Sequence, residues 1–218
     1  MEPSRYVIFD LDDTLVHSDA VREAFATVAC AAGVEPDVLT RTLDSHPGRP
    51  AREIFELLGF ARDDAAAATE RFIEELDERN RHAPPVAYPD AATTLCELAA
   101  TGAQLMLSTG SSPERARQVL DQEGWDGFTV VLGSDDTCAK GSGHYEQISA
   151  HAPDRGWTRN AVTVGDSPTD MRLAAEHGVP VRIGVDRDGD PHPLFAAGAT
   201  HVVRALSDIL PILAVVSV

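Results

Sequence analysis

Residues Tyr6 to Val16 read YVIFDLDDTLV, and no other segment restricts the fold as tightly. Tyr6 to Phe9 is a short apolar run of the length and composition of a buried strand. It breaks into three carboxylates within four positions, Asp10, Asp12 and Asp13. Carboxylates directly after a buried strand cost desolvation energy unless something cationic compensates them. In open α/β sheets the carboxyl end of a strand is also where ligands bind. Asp10 and Asp12 are therefore candidates for a cation and catalysis site. The competing reading is an acidic turn that merely ends a strand.

The pattern after Val16 is helical. Asp19 to Ala32 carries Val21, Phe25, Val28 and Ala32 at helical spacing. Pro36 to Leu43 and Ala51 to Leu58 follow, separated by SHPGRP. Asp63 to Arg81 reads as one long helix with Ala65, Ala68, Phe72 and Leu76 on one stripe, and Glu75 and Arg79 spaced to pair. The proline-rich run from Ala83 to Asp90 stops it. Up to about Pro85 no strand is evident. Beyond Asp90 strands and helices alternate: helix Ala91 to Thr101, strand Ala103 to Leu107, helix Pro113 to Glu123 capped by Ser112, strand Thr129 to Leu132, helix Gly143 to His151, strand Ala161 to Val164, helix Thr169 to His177, strand Val181 to Ile183, then Thr200 to Val203 and Leu206 to Leu213. Such alternation predicts βαβ units and a parallel sheet. The economical arrangement is one α/β core, 1–16 and 86–218, with an all-α domain, 17–85, inserted after the first strand.

Charge narrows the partners. The net charge is −17 over 218 residues, which argues against a nucleic acid or an anionic membrane. A small anionic substrate remains compatible if a metal or local cations reverse the field in its pocket. Cys30, Cys96 and Cys138 are far apart and form no CxxC pair, so neither a disulfide framework nor a zinc site is expected. A strand beginning by Tyr6 leaves no room for a signal peptide, and LPILAVVSV is too short to span a bilayer. A cytoplasmic monomer or homodimer is the expectation. Among 18 basic residues only Lys140 is a lysine, which singles out its position.

Three further strand ends carry polar groups. Ser108-Thr109-Gly110 follows the strand AQLML, Lys140 lies in the segment after TVVL, and Gly165 to Asp170 (GDSPTD) follows AVTV. Together with Asp10 and Asp12 they make a set of carboxylates, one hydroxyl and one ammonium at the ligand-binding edge of a parallel sheet. That set suits phosphoryl transfer. Carboxylates hold Mg²⁺, a hard cation, and a carboxylate can act as nucleophile. A hydroxyl, a lysine and backbone N–H groups can hold phosphoryl oxygens. Singly, each has a plain alternative: a turn serine, a solvated lysine, a strand-end acid.

These motifs resemble the haloacid dehalogenase superfamily of phosphatases. DLDDT matches its first motif, Ser108 its second, Lys140 its third and GDSPTD its fourth, with a small helical cap between the first and second. The resemblance implies a Rossmann-like three-layer α/β core and a Mg²⁺-dependent phosphatase acting on a small phosphorylated metabolite, such as a sugar phosphate or a phosphoglycolate-like acid. It implies that Asp10 is nucleophile and metal ligand. Asp12 would be general acid and base, outside the metal's carboxylate shell and able to keep a proton, with its main-chain carbonyl on the metal. Asp166 would complete the metal site, and Asp170 would support it directly or through water. Ser108 would bind a phosphoryl oxygen, and Lys140 would neutralise charge between Asp10 and the phosphate. Thr14, Thr109, Gly110 and Ser111 are further candidate phosphate donors. Superfamily dehalogenases lack the second Asp, because a halide leaves without a proton. Phosphonate-cleaving members use a cap lysine, which the stretch from Val16 to Pro85 does not contain.

The loop SHPGRPARE resembles the substrate-facing loop of such caps. It makes Arg49 a candidate substrate contact, with Gly48 supplying backbone freedom; a solvated arginine is the alternative. A phosphomutase of the β-phosphoglucomutase type and a non-catalytic binding protein remain as alternative functions. The run from Gly184 to Pro193 (GVDRDGDPHP) lacks the ligand spacing of an EF-hand and reads as a surface loop.

Overall fold

The computed structural model describes residues 5–17, 19–46, 49–135, 138–152, 156–187 and 189–215. Gly48, Asp188 and the last three residues of the apolar tail lie outside them. The chain divides into two compact units, 1–16 with 87–218, and 17–86.

The first unit is built on a six-stranded parallel sheet. Its strands are β1 (Tyr6–Phe9), β4 (Gln104–Ser108), β5 (Phe128–Leu132), β6 (Ala161–Gly165), β7 (Val181–Val185) and β8 (His201–Val203), in the order β5-β4-β1-β6-β7-β8. β1 is central, with Phe9 in register with both Leu107 and Val164. Alternation along the strands sends side chains to two separate cores. Val7, Phe9, Leu105, Leu107, Val162 and Val164 meet α5 (Ala91–Ala100) and α6 (Pro113–Glu123) on one face. Tyr6, Ile8, Met106 and Ala161 meet Tyr145 and Ile148 of α7 (Ser142–His151) and Ala174 of α8 (Pro168–Glu176) on the other. Two helical layers around one sheet make the three-layer Rossmann-like arrangement. The continuous apolar run of β1 follows from it, because a central strand is covered on both faces.

Two boundaries correct the sequence reading. Gly184 and Val185 continue β7, and His192 and Pro193 open α9 (His192–Ala196), so the two ends of that segment are strand and helix while the described residues between them are loop. Two-residue strands β2 (Val16–His17) and β3 (Val86–Ala87) pair as a second sheet where only helix or proline-rich chain was expected.

The second unit holds α1 (Ala20–Ala31), α2 (Pro36–Ser45), α3 (Ala51–Leu57) and α4 (Arg62–His82). Ala65, Ala68, Phe72 and Leu76 form the buried stripe of α4. On α1 the buried face is Ala20, Ala24, Phe25, Val28 and Ala29; Ala32 is exposed and ends the helix instead. Phe25, Phe55 and Phe72 pack with centroids 4.2 to 6.4 Å apart, each such pair contributing about 0.5–1.5 kcal/mol beyond its area. Small alanines on both helices let that aromatic cluster close. Among the described residues no helix is long and apolar enough to cross a membrane.

Candidate active site

The register of the sheet builds the site. Residues one step beyond Phe9 and Val164, and the last residue of β4, come level at the carboxyl ends of β1, β6 and β4: Asp10, Gly165 and Ser108. Asp10 keeps its place by donating its backbone N–H to Val164 O at 2.9 Å. The chain then turns tightly. Leu15 and Val16 N–H groups donate to Leu11 O, and Asp13 adopts φ 56°, a left-handed conformation that Asp tolerates. Leu11, Leu15 and Val16 are fully buried by this turn, which leaves the intervening carboxylates at the strand end.

Lys140 Nζ lies 2.9 Å from Asp10 Oδ1 and 2.7 Å from Asp170 Oδ1, with its side chain only 4% exposed. Its loop is held by Ser134, whose Oγ accepts the Lys140 N–H at 2.7 Å and donates to Thr109 O at 3.2 Å. Burial alone would lower the lysine's pKa, but the charges of Asp10 and Asp170 more than reverse this and keep it protonated. Asp10 is pushed up to about 6, chiefly by burial, with Lys140 opposing and the charges of Asp170 and Asp12 adding. Desolvation, then the charges of Asp10 and Asp170, hold Asp166 well above the usual carboxylate range. Three acids against one ammonium leave an excess of negative charge.

Oxygens of Asp10, Asp166 and Asp170 lie within 4.8 Å of one another. Asp10 Oδ1 pairs with Lys140 by charge but is buried without an aligned hydrogen bond. A hard, oxygen-seeking divalent cation fits this donor set and would relieve both the charge excess and the unsatisfied oxygen. Asp166 Oδ1 accepts from Thr14 Oγ1 at 3.1 Å, so Thr14 is engaged with a carboxylate. Asp170 is in use on both oxygens: Oδ1 faces Lys140, while Oδ2 accepts from Ser167 N–H and Oγ in a capping box at the start of α8. Gly165 is required here, since a Cβ would come within 2.4 Å of Asp170 Oδ2.

Asp12 lies apart from the lysine. Arg115, on the first turn of α6 and 5% exposed, grips it with Nη2 on Oδ1 at 2.7 Å and Nη1 on Oδ2 at 2.9 Å. Ser111 Oγ donates to Oδ2 at 2.6 Å. Both Asp12 oxygens are thus acceptors here. Thr109 is spent on the fold: its N–H donates to Leu132 O and its Oγ1 accepts from Ser111 N–H. Gly110 is half-buried at the same strand end. Ser108 Oγ lies 2.9 Å from Nδ1 of His144, a fully buried histidine. In the second unit Arg49 Nη1 pairs with Glu53 at 2.8 Å and is largely exposed.

The structure therefore brings Asp10, Ser108, Lys140, Asp166 and Asp170 to adjoining strand ends. Arg115 and His144 were missed from the sequence. A signal existed: Arg115 falls on the stripe of Ala116, Val119 and Leu120, and His144 on that of Tyr145 and Ile148, where a polar residue is buried and needs a partner.

Residues 7–183 match the family of haloacid dehalogenase-like hydrolases. A phosphoglycolate phosphatase of Rhodospirillum rubrum is 33% identical over 211 residues, covering 90% of this chain and 85% of that protein. A second phosphoglycolate phosphatase, from Caulobacter vibrioides, is 28% identical, with 93% and 88% covered. Among solved structures, a haloacid dehalogenase-like family hydrolase of Streptococcus pneumoniae superposes with a TM-score of 0.76 at 21% identity, over 96% of this chain and 98% of that one.

Proposed function

Since this chain belongs to the haloacid dehalogenase-like hydrolases, we propose that it is a Mg²⁺-dependent phosphatase of a small phosphorylated acid, acting through an aspartyl-phosphate on Asp10. The observation that carries this reading is the convergence of Asp10, Asp166 and Asp170 within 4.8 Å, with the ammonium of Lys140 on Asp10 and Asp170. The two relatives that bear the name make 2-phosphoglycolate the first substrate to try.

Asp10 and Asp166 are the residues to hold Mg²⁺, with Asp170 and the Asp12 carbonyl as further oxygen donors. The bound ion would supply positive charge against the phosphoryl oxygens. Lys140 keeps Asp10 ionised beside the incoming dianion. An oxygen of Asp10 attacks phosphorus, and the bond from phosphorus to the ester oxygen breaks with its electron pair. The leaving oxygen takes a proton from Asp12. Water then attacks the phosphorus of the acyl-phosphate and gives its proton to Asp12, and the Asp10 carboxylate is released. Asp12 begins this cycle with a proton on an oxygen that Arg115 or Ser111 otherwise contacts, so protonation must loosen that grip.

We read the helical unit, 17–86, as the cap. Arg49 would exchange Glu53 for the carboxylate of the substrate, one acid for another. The test is phosphate release from 2-phosphoglycolate, with Mg²⁺ and with chelator, by wild type and Asp10→Asn. Release should need Mg²⁺ and vanish in the variant; release that survives either change would refute the mechanism.

A further inference from the structure

His144 is wholly buried, and its two ring nitrogens face different partners. Nε2 lies 3.2 Å from Gly133 O, and Nδ1 lies 2.9 Å from Ser108 Oγ. A carbonyl oxygen only accepts, so Nε2 must carry a hydrogen. In a neutral ring Nδ1 is then bare, and it accepts the hydrogen of Ser108. A serine hydroxyl has one hydrogen. Ser108 so disposed presents only lone pairs to the strand-end site, and lone pairs repel a phosphoryl oxygen. This conflicts with the role that Ser108 would have on the reading above.

Protonation resolves the conflict. An imidazolium donates from both nitrogens. Nε2–H stays on Gly133 O, Nδ1–H turns to Ser108 Oγ, and the serine hydrogen is released towards the site. We propose that His144 is the positioning residue of Ser108 and that an anionic tetrahedral ligand binds there together with one proton taken up by His144. The inference rests on reading this site as one for a phosphoryl group.

The surroundings favour the neutral ring until the ligand arrives. Desolvation lowers the pKa of His144, and Lys140, on the loop before α7, adds to this. Gly133 O and the charge of Asp135, on the loop after β5, oppose it. An added dianion beside Ser108 shifts that balance towards the imidazolium. Linkage then requires that binding take up protons and weaken as pH rises.

The experiment titrates tungstate into the Mg²⁺-loaded protein near pH 8, by calorimetry in buffers of different ionisation enthalpy. Tungstate is a tetrahedral dianion that brings no proton of its own. Wild type should take up about one proton per ligand bound. In ¹⁵N-histidine spectra, Nδ1 of His144 should move from a bare to a protonated nitrogen. His144→Asn, whose amide does not titrate, should bind with no proton uptake. Binding with Nδ1 still bare, or uptake that persists in His144→Asn, overturns the proposal and leaves the phosphatase reading standing. Failure of tungstate to bind overturns both. The spectra of the wild-type protein decide the matter even if the variant does not fold.

Discussion

Replacing the candidate nucleophile should make the metal-free protein more stable, not less. Asp10 is 8% exposed, and its carboxyl is pushed from 3.8 up to about 6, mainly because burial disfavours its charge. A carboxyl raised in this way stabilises the fold while protonated. Its contribution is complete below pH 3.8 and is lost as pH rises through about 6, since between those values the folded protein holds a proton that the unfolded chain has released. At about 1.36 kcal/mol per pH unit the displacement corresponds to roughly 3 kcal/mol. Asp10→Asn removes this penalty and keeps an oxygen facing Lys140, which still has Asp170 at 2.7 Å. Urea unfolding with chelator at pH 7.5 should show the variant about 3 kcal/mol more stable than wild type, with the gap closing towards pH 4. Mg²⁺ at about a hundredfold excess over its Kd should return about 2.7 kcal/mol to wild type and far less to the variant. A variant no more stable than wild type at pH 7.5 refutes the reasoning, as does a gap that does not change with pH.

Lys140→Met strips the paired ammonium from two buried acids and should cost about 3–5 kcal/mol in urea unfolding, partly recovered by Mg²⁺. Gly165→Ala drives a Cβ into Asp170, so the helix cap and the Lys140 pair yield together; a loss of about 1–3 kcal/mol and of Mg²⁺-dependent phosphate release is expected. Arg115→Lys keeps a charge beside Asp12 but loses the two-pronged grip. Its kcat should fall about a hundredfold with KM little changed, which steady-state kinetics on 2-phosphoglycolate would read.

Local chemistry decided which parts of this molecule were legible in its sequence. α6 runs from Pro113 to Glu123 as expected, because Ser112 caps it, proline starts it and Gly124 ends it at φ 68°. The carboxylates after β1 and β6 stood out because they interrupt buried runs. α9 carried no such punctuation: Pro191 and Pro193 resemble loop chemistry, yet one begins and the other continues a five-residue helix. Arg187 was lost in the same segment. It stacks 3.4 Å over the ring of Tyr88 and donates to Thr14 O at 3.0 Å, tying β7 to the turn after β1. Arg115 and His144 could be suspected from their place on apolar stripes, but their roles could not be read, because their partners are 103 and 36 residues away.

The central position of β1 has a consequence during synthesis. Its two neighbours begin at Gln104 and Ala161. At roughly 5–20 residues per second, YVIF waits about 5–20 s for its first partner and longer for its second. An apolar strand left unpaired that long is a template for aggregation. Asp10, Asp12 and Asp13 sit directly beside it and act as gatekeepers while it waits. Asp10, which burdens the finished fold with a buried charge, thus helps protect the nascent chain before there is a fold to burden.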